Sequence, residues 1–258
     1  MSKTLGVAVI HGMGNQRSKA FADPLIDELK SRLKQPDKVA WRRIFWADVL
    51  SARQEKYLKA ANRNNQLDFF NLRCFVVSAL GDASAYWRVD DDERSTYGRI
   101  HAVIRDEIAT LRKSLSSDSA PLVILAHSLG GHIISNYIWD IQKKIPIVAP
   151  GDNDFERMRT IAGLITFGCN IPLFTFAFTK IVPIKLPKGA TWLNFFDPDD
   201  VLGYPLKPLS PEYRRAVSRD IAINVGGIAA SWNPLSHSKY WTDNDFTKPV
   251  AKFIDKLL

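Results

Sequence analysis

Residues Leu122–Gly131 read LVILAHSLGG, and how this stretch is read decides the fold. An unbroken apolar run that stops at small residues marks a strand buried on both faces, as in parallel sheets. Beyond it the apolar residues take up helical spacing, at Leu129, Ile133, Ile134, Tyr137, Ile138 and Ile141. Ser128 therefore falls on a strand-to-helix turn. Such a turn holds its side chain out at the carboxyl edge of the sheet, where the sites of open α/β sheets lie. It needs small residues two before and two after the serine, and those positions hold Ala126 and Gly130.

The rest of the chain continues the alternation. Leu5 to Ile10 is a short apolar strand, and Leu25, Ile26, Leu29 and Leu33 follow at helical spacing behind an Asp23-Pro24 start signal. KVAWRRIFWAD (38–48) predicts a second strand, and Gly98–Leu115 an amphipathic helix through Ile100, Val103, Ile104, Ile108 and Leu111. After a Pro-, Gly-, Asp- and Asn-rich loop at 146–154 come strand-like IAGLITFG (161–168) and an irregular apolar stretch, IPLFTFAFTKIVPIKLP (171–187). Strand-like ATWLNFF (190–196) and the turn DPDDVLGYP (197–205) lead on to a further strand, RDIAINVGG (219–227). A loop, NPLSHSKYW (233–241), and a closing helix, DFTKPVAKFIDKLL (245–258), complete the chain. Strands alternating with helices predict one α/β domain over 1–258, its mostly parallel sheet covered by helices on both faces.

Residues 47–94 interrupt this pattern. A polar helical piece, SARQEKYLKAANRNNQ, is followed by apolar LDFFNLRCFVVSAL and then GDASAYWR. Connections between α/β elements usually take about 2–6 residues, so 47–94 is expected to carry its own helices as an insertion. It mixes Phe69, Phe70, Phe75, Val76, Val77, Tyr86 and Trp87 with a polar helix, a composition that suits either a cap over the site or a piece of core.

The formal net charge is +8, which could draw nucleic acid or acidic partners if the charges clustered. Lys and Arg are instead spread along the chain among acids, as in RSTYGRIHAVIRDEIATLRKSL, so a solvated surface is expected and a nucleic-acid partner is not. Cys74 and Cys169 are too few and too far apart for a disulfide framework or a zinc site, and no metal is expected. The opening MSKTLGVAVIHGMG runs from one lysine into a short strand without the apolar region of a signal peptide, and no segment gives 18 apolar residues in a row. No transmembrane segment is expected, and the expected location is the cytoplasm.

A serine hydroxyl is a weak nucleophile at neutral pH. An enzyme using it must supply a base within hydrogen-bond reach, a group that orients the base, and donors for the oxyanion. Ala126-His127-Ser128-Leu129-Gly130 resembles the G-x-S-x-G nucleophile elbow of the α/β-hydrolase superfamily, particularly its lipases and esterases, with Ala126 in place of the first glycine. The resemblance implies an α/β-hydrolase fold with Ser128 as nucleophile. His11-Gly12-Met13-Gly14, directly after the first strand, is similar to the oxyanion loop of lipases. That likeness implies backbone N–H donors at Met13 and Leu129, the second at a helix start whose dipole favours an anion.

The superfamily order of serine, acid, histidine then implies His237 as base, in the loop before the closing helix. His127 is locked in the elbow, His132 and His101 fall on helices, and His11 is expected to organise its loop. For the acid the chain offers Asp197, Asp199 and Asp200. In related lipases two aliphatic residues and a turn former follow the acid, which favours Asp200 ahead of Val201-Leu202-Gly203, with Asp197 bracing the loop. The implied activity is hydrolysis of a small-molecule or lipid-like carboxylic ester through an acyl-enzyme, without cofactor. Thioesterase and acyltransferase activity on the same fold are alternatives. A catalytically silent fold that binds a partner is the alternative of another class.

Overall fold

The computed structural model describes residues 2–13, 18–226, 237 and 239–258, without the side chains of Asn64 and Phe75. Of the stretches read above, Gly14, Gly227, residues 233–236 and Ser238 lie outside the described residues, as does the Phe75 side chain.

Among the described residues six parallel strands form one sheet: β1 (Leu5–Ile10), β2 (Val39–Ile44), β3 (Leu122–His127), β4 (Ile161–Phe167), β5 (Thr191–Phe196) and β6 (Arg219–Ala222). Their order is β2-β1-β3-β4-β5-β6, so the chain reverses direction of growth once, beside β1. The helices are α1 (Asp23–Arg32), α2 (Ser51–Asn65), α3 (Phe70–Ala85), α4 (Thr96–Lys113), α5 (Leu129–Lys143), α6 (Ile171–Thr175), α7 (Pro211–Ala216) and α8 (Asn244–Asp255).

The period-2 alternation of buried strands divides the core in two. Ala8, Ile10, Leu122, Ile124 and Ala126 face one layer, with Ile100, Ile104 and Ile108 of α4 and Ile133, Ile134 and Ile138 of α5. Leu5, Val7, Val9, Val123 and Leu125 face the other, with Leu25, Ile26 and Leu29 of α1 and Phe246, Val250 and Ile254 of α8. The expected α/β class, with an all-parallel sheet covered on both faces, is therefore the fold observed. Cys74 and Cys169 are both free thiols.

Some boundaries differ from the sequence reading. The second strand stops at Ile44, and Ala47–Val49 is a 3-10 turn that buries Ala47 and Val49. The sixth strand stops at Ala222, on the edge of the sheet where only β5 pairs with it. The irregular stretch after β4 opens with the single-turn helix α6. Helix α7, capped by Ser210 accepting from Tyr213 N–H, fills a part of the chain to which periodicity assigned no element.

Residues 47–94 hold helices α2 and α3. α3 leaves Phe69 at its start 79 % exposed, with Leu72 and Leu80 60 % and 65 % exposed, so these three residues do not complete the core. Tyr86, at the far end of α3, is buried. Among the described residues no helix is long and apolar enough to cross a membrane.

Candidate active site

Sheet register sets the site. His127 pairs with Phe167, and Phe167 with Phe195, so β3, β4 and β5 end level with one another. The ladder continues one step past the strands, through Ser128 N–H to Phe167 O and Gly168 N–H to Phe195 O, both 3.0 Å. Ser128 is the residue before α5 and takes φ 52°, ψ −126°. A positive φ is costly for a residue with a Cβ, and such strain persists only where the surroundings impose it. Here the strand behind and the helix ahead impose it, and the side chain is turned to the carboxyl edge.

Gly12 lies against this turn. A Cβ on it would fall 2.4 Å from Ser128 Cβ, so only glycine lets the loop after β1 approach the serine this closely. Met13 follows at a half-buried bend. Leu129 opens α5, where the first-turn amides have no intrahelical acceptor. Of the two residues expected to donate to an oxyanion, Leu129 thus follows Ser128 at the helix start and Met13 follows the glycine that packs on it.

The structure brings Ser128, His237 and Asp200 together. His237 Nε2 is 2.7 Å from Ser128 Oγ, and His237 Nδ1 is 2.8 Å from Asp200 Oδ2. The carboxylate can only accept, so Nδ1 carries the proton and Nε2 is left free to accept from the serine hydroxyl. Asp200 Oδ1 accepts from Leu202 N–H at 3.0 Å, and Oδ2 also accepts from Tyr240 O–H at 2.9 Å. Burial pushes the Asp200 carboxyl up, but the His237 contact and the two other donors outweigh it and hold the group below the usual carboxylate value. Gly203 permits the turn to close, since a Cβ there would meet Asp200 Oδ2 at 2.6 Å.

Asp197 sits apart from the histidine. Its Oδ1 accepts from Asp199 N–H at 2.9 Å and its Oδ2 from Val225 N–H at 2.7 Å, tying the turn after β5 to the chain beyond β6.

The remaining histidines are neutral and structural. His11 Nε2 accepts from Trp46 N–H at 3.1 Å, its ring stacks on the Trp46 indole at 4.7 Å, and burial lowers its pKa to about 4. His127 Nε2–H donates to the His237 carbonyl at 2.8 Å, and burial, helped by His237, lowers its pKa to about 3. His101 and His132 lie on α4 and α5, with pKa values of about 3 and about 4, again through burial.

Two contributors escaped the sequence reading. Tyr240 holds Asp200 and accepts from Asp197 N–H at 2.9 Å, joining the two aspartates through one hydroxyl. Its position three residues after His237 was the only available signal. His127 was placed in the elbow, but its grip on the His237 backbone spans 110 residues and has no local signature.

No family model and no curated protein matches the sequence. Among solved structures the chain is similar to esterase PE8, with 12 % identity and a TM-score of 0.48 over 100 % of this chain and 94 % of that one. It is similar to a dienelactone hydrolase from Anabaena variabilis, with 13 % identity and a TM-score of 0.40 over 99 % and 85 %. A lipase-esterase related protein from Clostridium acetobutylicum gives 10 %, 0.41, 99 % and 95 %. Likeness this loose carries no argument about activity. The fold itself is seen directly in the strand order and in the strand-turn-helix that carries Ser128 between β3 and α5.

Proposed function

We propose that the protein hydrolyses carboxylic esters through an acyl-enzyme on Ser128. One observation carries the reading: the continuous relay from Ser128 Oγ through the His237 ring to Asp200, at 2.7 and 2.8 Å. A binding module gains nothing from a serine hydroxyl held against a free imidazole nitrogen, whereas a nucleophile requires it.

In this reading His237 Nε2 takes the Ser128 proton as Oγ bonds to the ester carbonyl carbon. The N–H groups of Met13 and Leu129 hold the resulting oxyanion, and Asp200 stabilises the imidazolium without taking its proton. Collapse of the tetrahedral centre breaks the bond to the alkoxy oxygen, which leaves as alcohol with the proton from His237. Water then attacks the acyl carbon as His237 takes its proton, and collapse breaks the bond to Ser128 Oγ, which regains that proton from His237 as the carboxylic acid departs. Asp200 serves as orienting acid and Asp197 as brace, while the α2–α3 insertion forms a cap whose exposed apolar side chains meet an apolar acyl chain. Ser128 is 0 % exposed, and in this reading an ester reaches Oγ by local opening around the site.

A serine-directed fluorophosphonate tests the reading. Stoichiometric labelling together with turnover of short acyl esters is expected, and failure to label with no turnover sends the fold to the silent binding class. Matched oxygen esters and thioesters of one acyl group separate esterase from thioesterase by which is cleaved faster.

A further inference from the structure

A pocket of about 160 Å³ lies between the outer face of α5 and the segment that follows β4. Its polar lining is His132, Ser135, Asn136, Thr175, Lys180 and Tyr213, and Trp139 and Val182 are among its apolar walls. His132, Ser135, Asn136 and Trp139 follow the i, i+3, i+4, i+7 rule of one helix face, so the pocket runs along α5 from one turn beyond Ser128.

Two features mark it as built for a ligand. The Ser135 hydroxyl is buried, with the residue 8 % exposed, and has no hydrogen-bond partner. A helical serine can bond back to the carbonyl four residues earlier, and an unmet buried hydroxyl is costly unless something supplies the bond. His132 is fixed as wall: its ring stacks on Phe174 at 4.4 Å, stands edge-on to Tyr86, and accepts from Asn136 Nδ2 at 3.2 Å. Of the buried side-chain polar atoms left without a partner among the described residues, Ser135 Oγ is the one that lines this pocket.

Size and charge select the occupant. An apolar cavity of about 150 Å³ accommodates one benzene ring. The hydroxyls of Ser135, Thr175 and Tyr213, the Asn136 amide and the His132 imidazole are uncharged, and the one cation of the lining, Lys180, is an exposed residue. An ionised group pushed in beside Ser135 would lose its hydration without a buried counter-charge, whereas a neutral hydroxyl would find its partner.

We propose that this pocket binds an uncharged single-ring compound carrying one hydrogen-bonding group, the ring against Trp139 and Val182 and the polar atom on Ser135 Oγ. The experiment is a titration of the isotope-labelled full chain with phenol, toluene and benzoate, following the Trp139 indole and Asn136 side-chain amide resonances. Phenol is expected to shift both in a saturable way, several-fold more tightly than toluene and at least tenfold more tightly than benzoate. Ser135→Ala, which removes an unpaired hydroxyl, is expected to lower phenol affinity to that of toluene and leave toluene unchanged. No saturable shift with phenol, benzoate binding as well as phenol, or an unaltered phenol-to-toluene ratio in Ser135→Ala each overturns the proposal. The readout is binding, so none of these results touches the ester-hydrolase reading.

Discussion

The Tyr240 hydroxyl donates at 2.9 Å to Oδ2 of Asp200, the same oxygen that receives His237 Nδ1–H. A carboxylate oxygen fixed by a second donor cannot swing away from the imidazole, and Tyr240 is itself fixed by accepting from Asp197 N–H. A hydrogen bond to a charged group contributes about 1.5–3 kcal/mol. Tyr240→Phe is therefore expected to lower kcat about tenfold or more while KM for a short ester stays within twofold. Steady-state kinetics decides it, and an unchanged kcat removes Tyr240 from the site.

Asp200 and Asp197 are separable by their partners. Asp200→Asn loses the charge facing His237 Nδ1 and can present an amide donor there, favouring the wrong tautomer; turnover is expected to fall about 10⁴-fold with the fold intact. Asp197→Asn keeps one acceptor for the Asp199 and Val225 amides, so its expected effect is a loss of about 1–2 kcal/mol in denaturant unfolding with turnover within tenfold. The reverse pattern moves the orienting role to Asp197.

Four histidines with lowered pKa values, three buried and His132 half-buried, are expected to make the fold acid-sensitive. His11, His101, His127 and His132 have folded pKa values of about 4, 3, 3 and 4, below the ordinary 6.5. Each contributes stability that is fully present above pH 6.5 and is lost as pH falls from there toward the folded value, because the unfolded chain takes up a proton that the folded one refuses. The Asp200 carboxyl acts lower, its contribution being lost only in acid below the usual carboxylate range. Near pH 5 the unfolded state is expected to bind up to about four more protons than the native state from the histidines, each contributing about 1.4 kcal/mol per pH unit. Denaturant unfolding at pH 7, 6 and 5 gives this slope directly, and a flat profile contradicts the assigned neutral histidines.

The exposed apolar residues of α2 and α3 are those proposed to meet the acyl chain. If they receive the acyl chain, each added CH₂ gains up to about 0.8 kcal/mol when fully buried, so kcat/KM is expected to climb several-fold from acetyl to medium-chain esters. Replacing Phe69-Phe70 with Ala-Ala is expected to flatten the climb without changing acetyl-ester turnover. A flat profile in the parent protein, or equal losses on acetyl and octanoyl esters in the variant, removes the cap.

The sheet and its helices were legible because burial imposes its period on the sequence: β1 and β3 are solid apolar runs, and α4 and α5 keep helical spacing over their full length. Helix α7 was missed although Ser210 and Pro211 form a start signal, because six residues are too few to show a period. The residues expected at the site were legible as a motif after β3, a glycine loop after β1 and an aspartate turn after β5, each tied to a strand end. Tyr240 and the His127–His237 contact were not, since both arise only when the chain beyond β6 folds back onto the sheet edge.

The account turns on Ser128 as nucleophile with His237 as its base, and the most direct measurement is ester turnover by Ser128→Ala and His237→Ala beside the parent protein. Each variant is expected to fall about 10⁴-fold or more while keeping the parent circular dichroism and melting behaviour. Ser128→Ala is also expected to lose fluorophosphonate labelling entirely. Turnover by a folded Ser128→Ala variant within tenfold of the parent, or label retained on another residue, contradicts it.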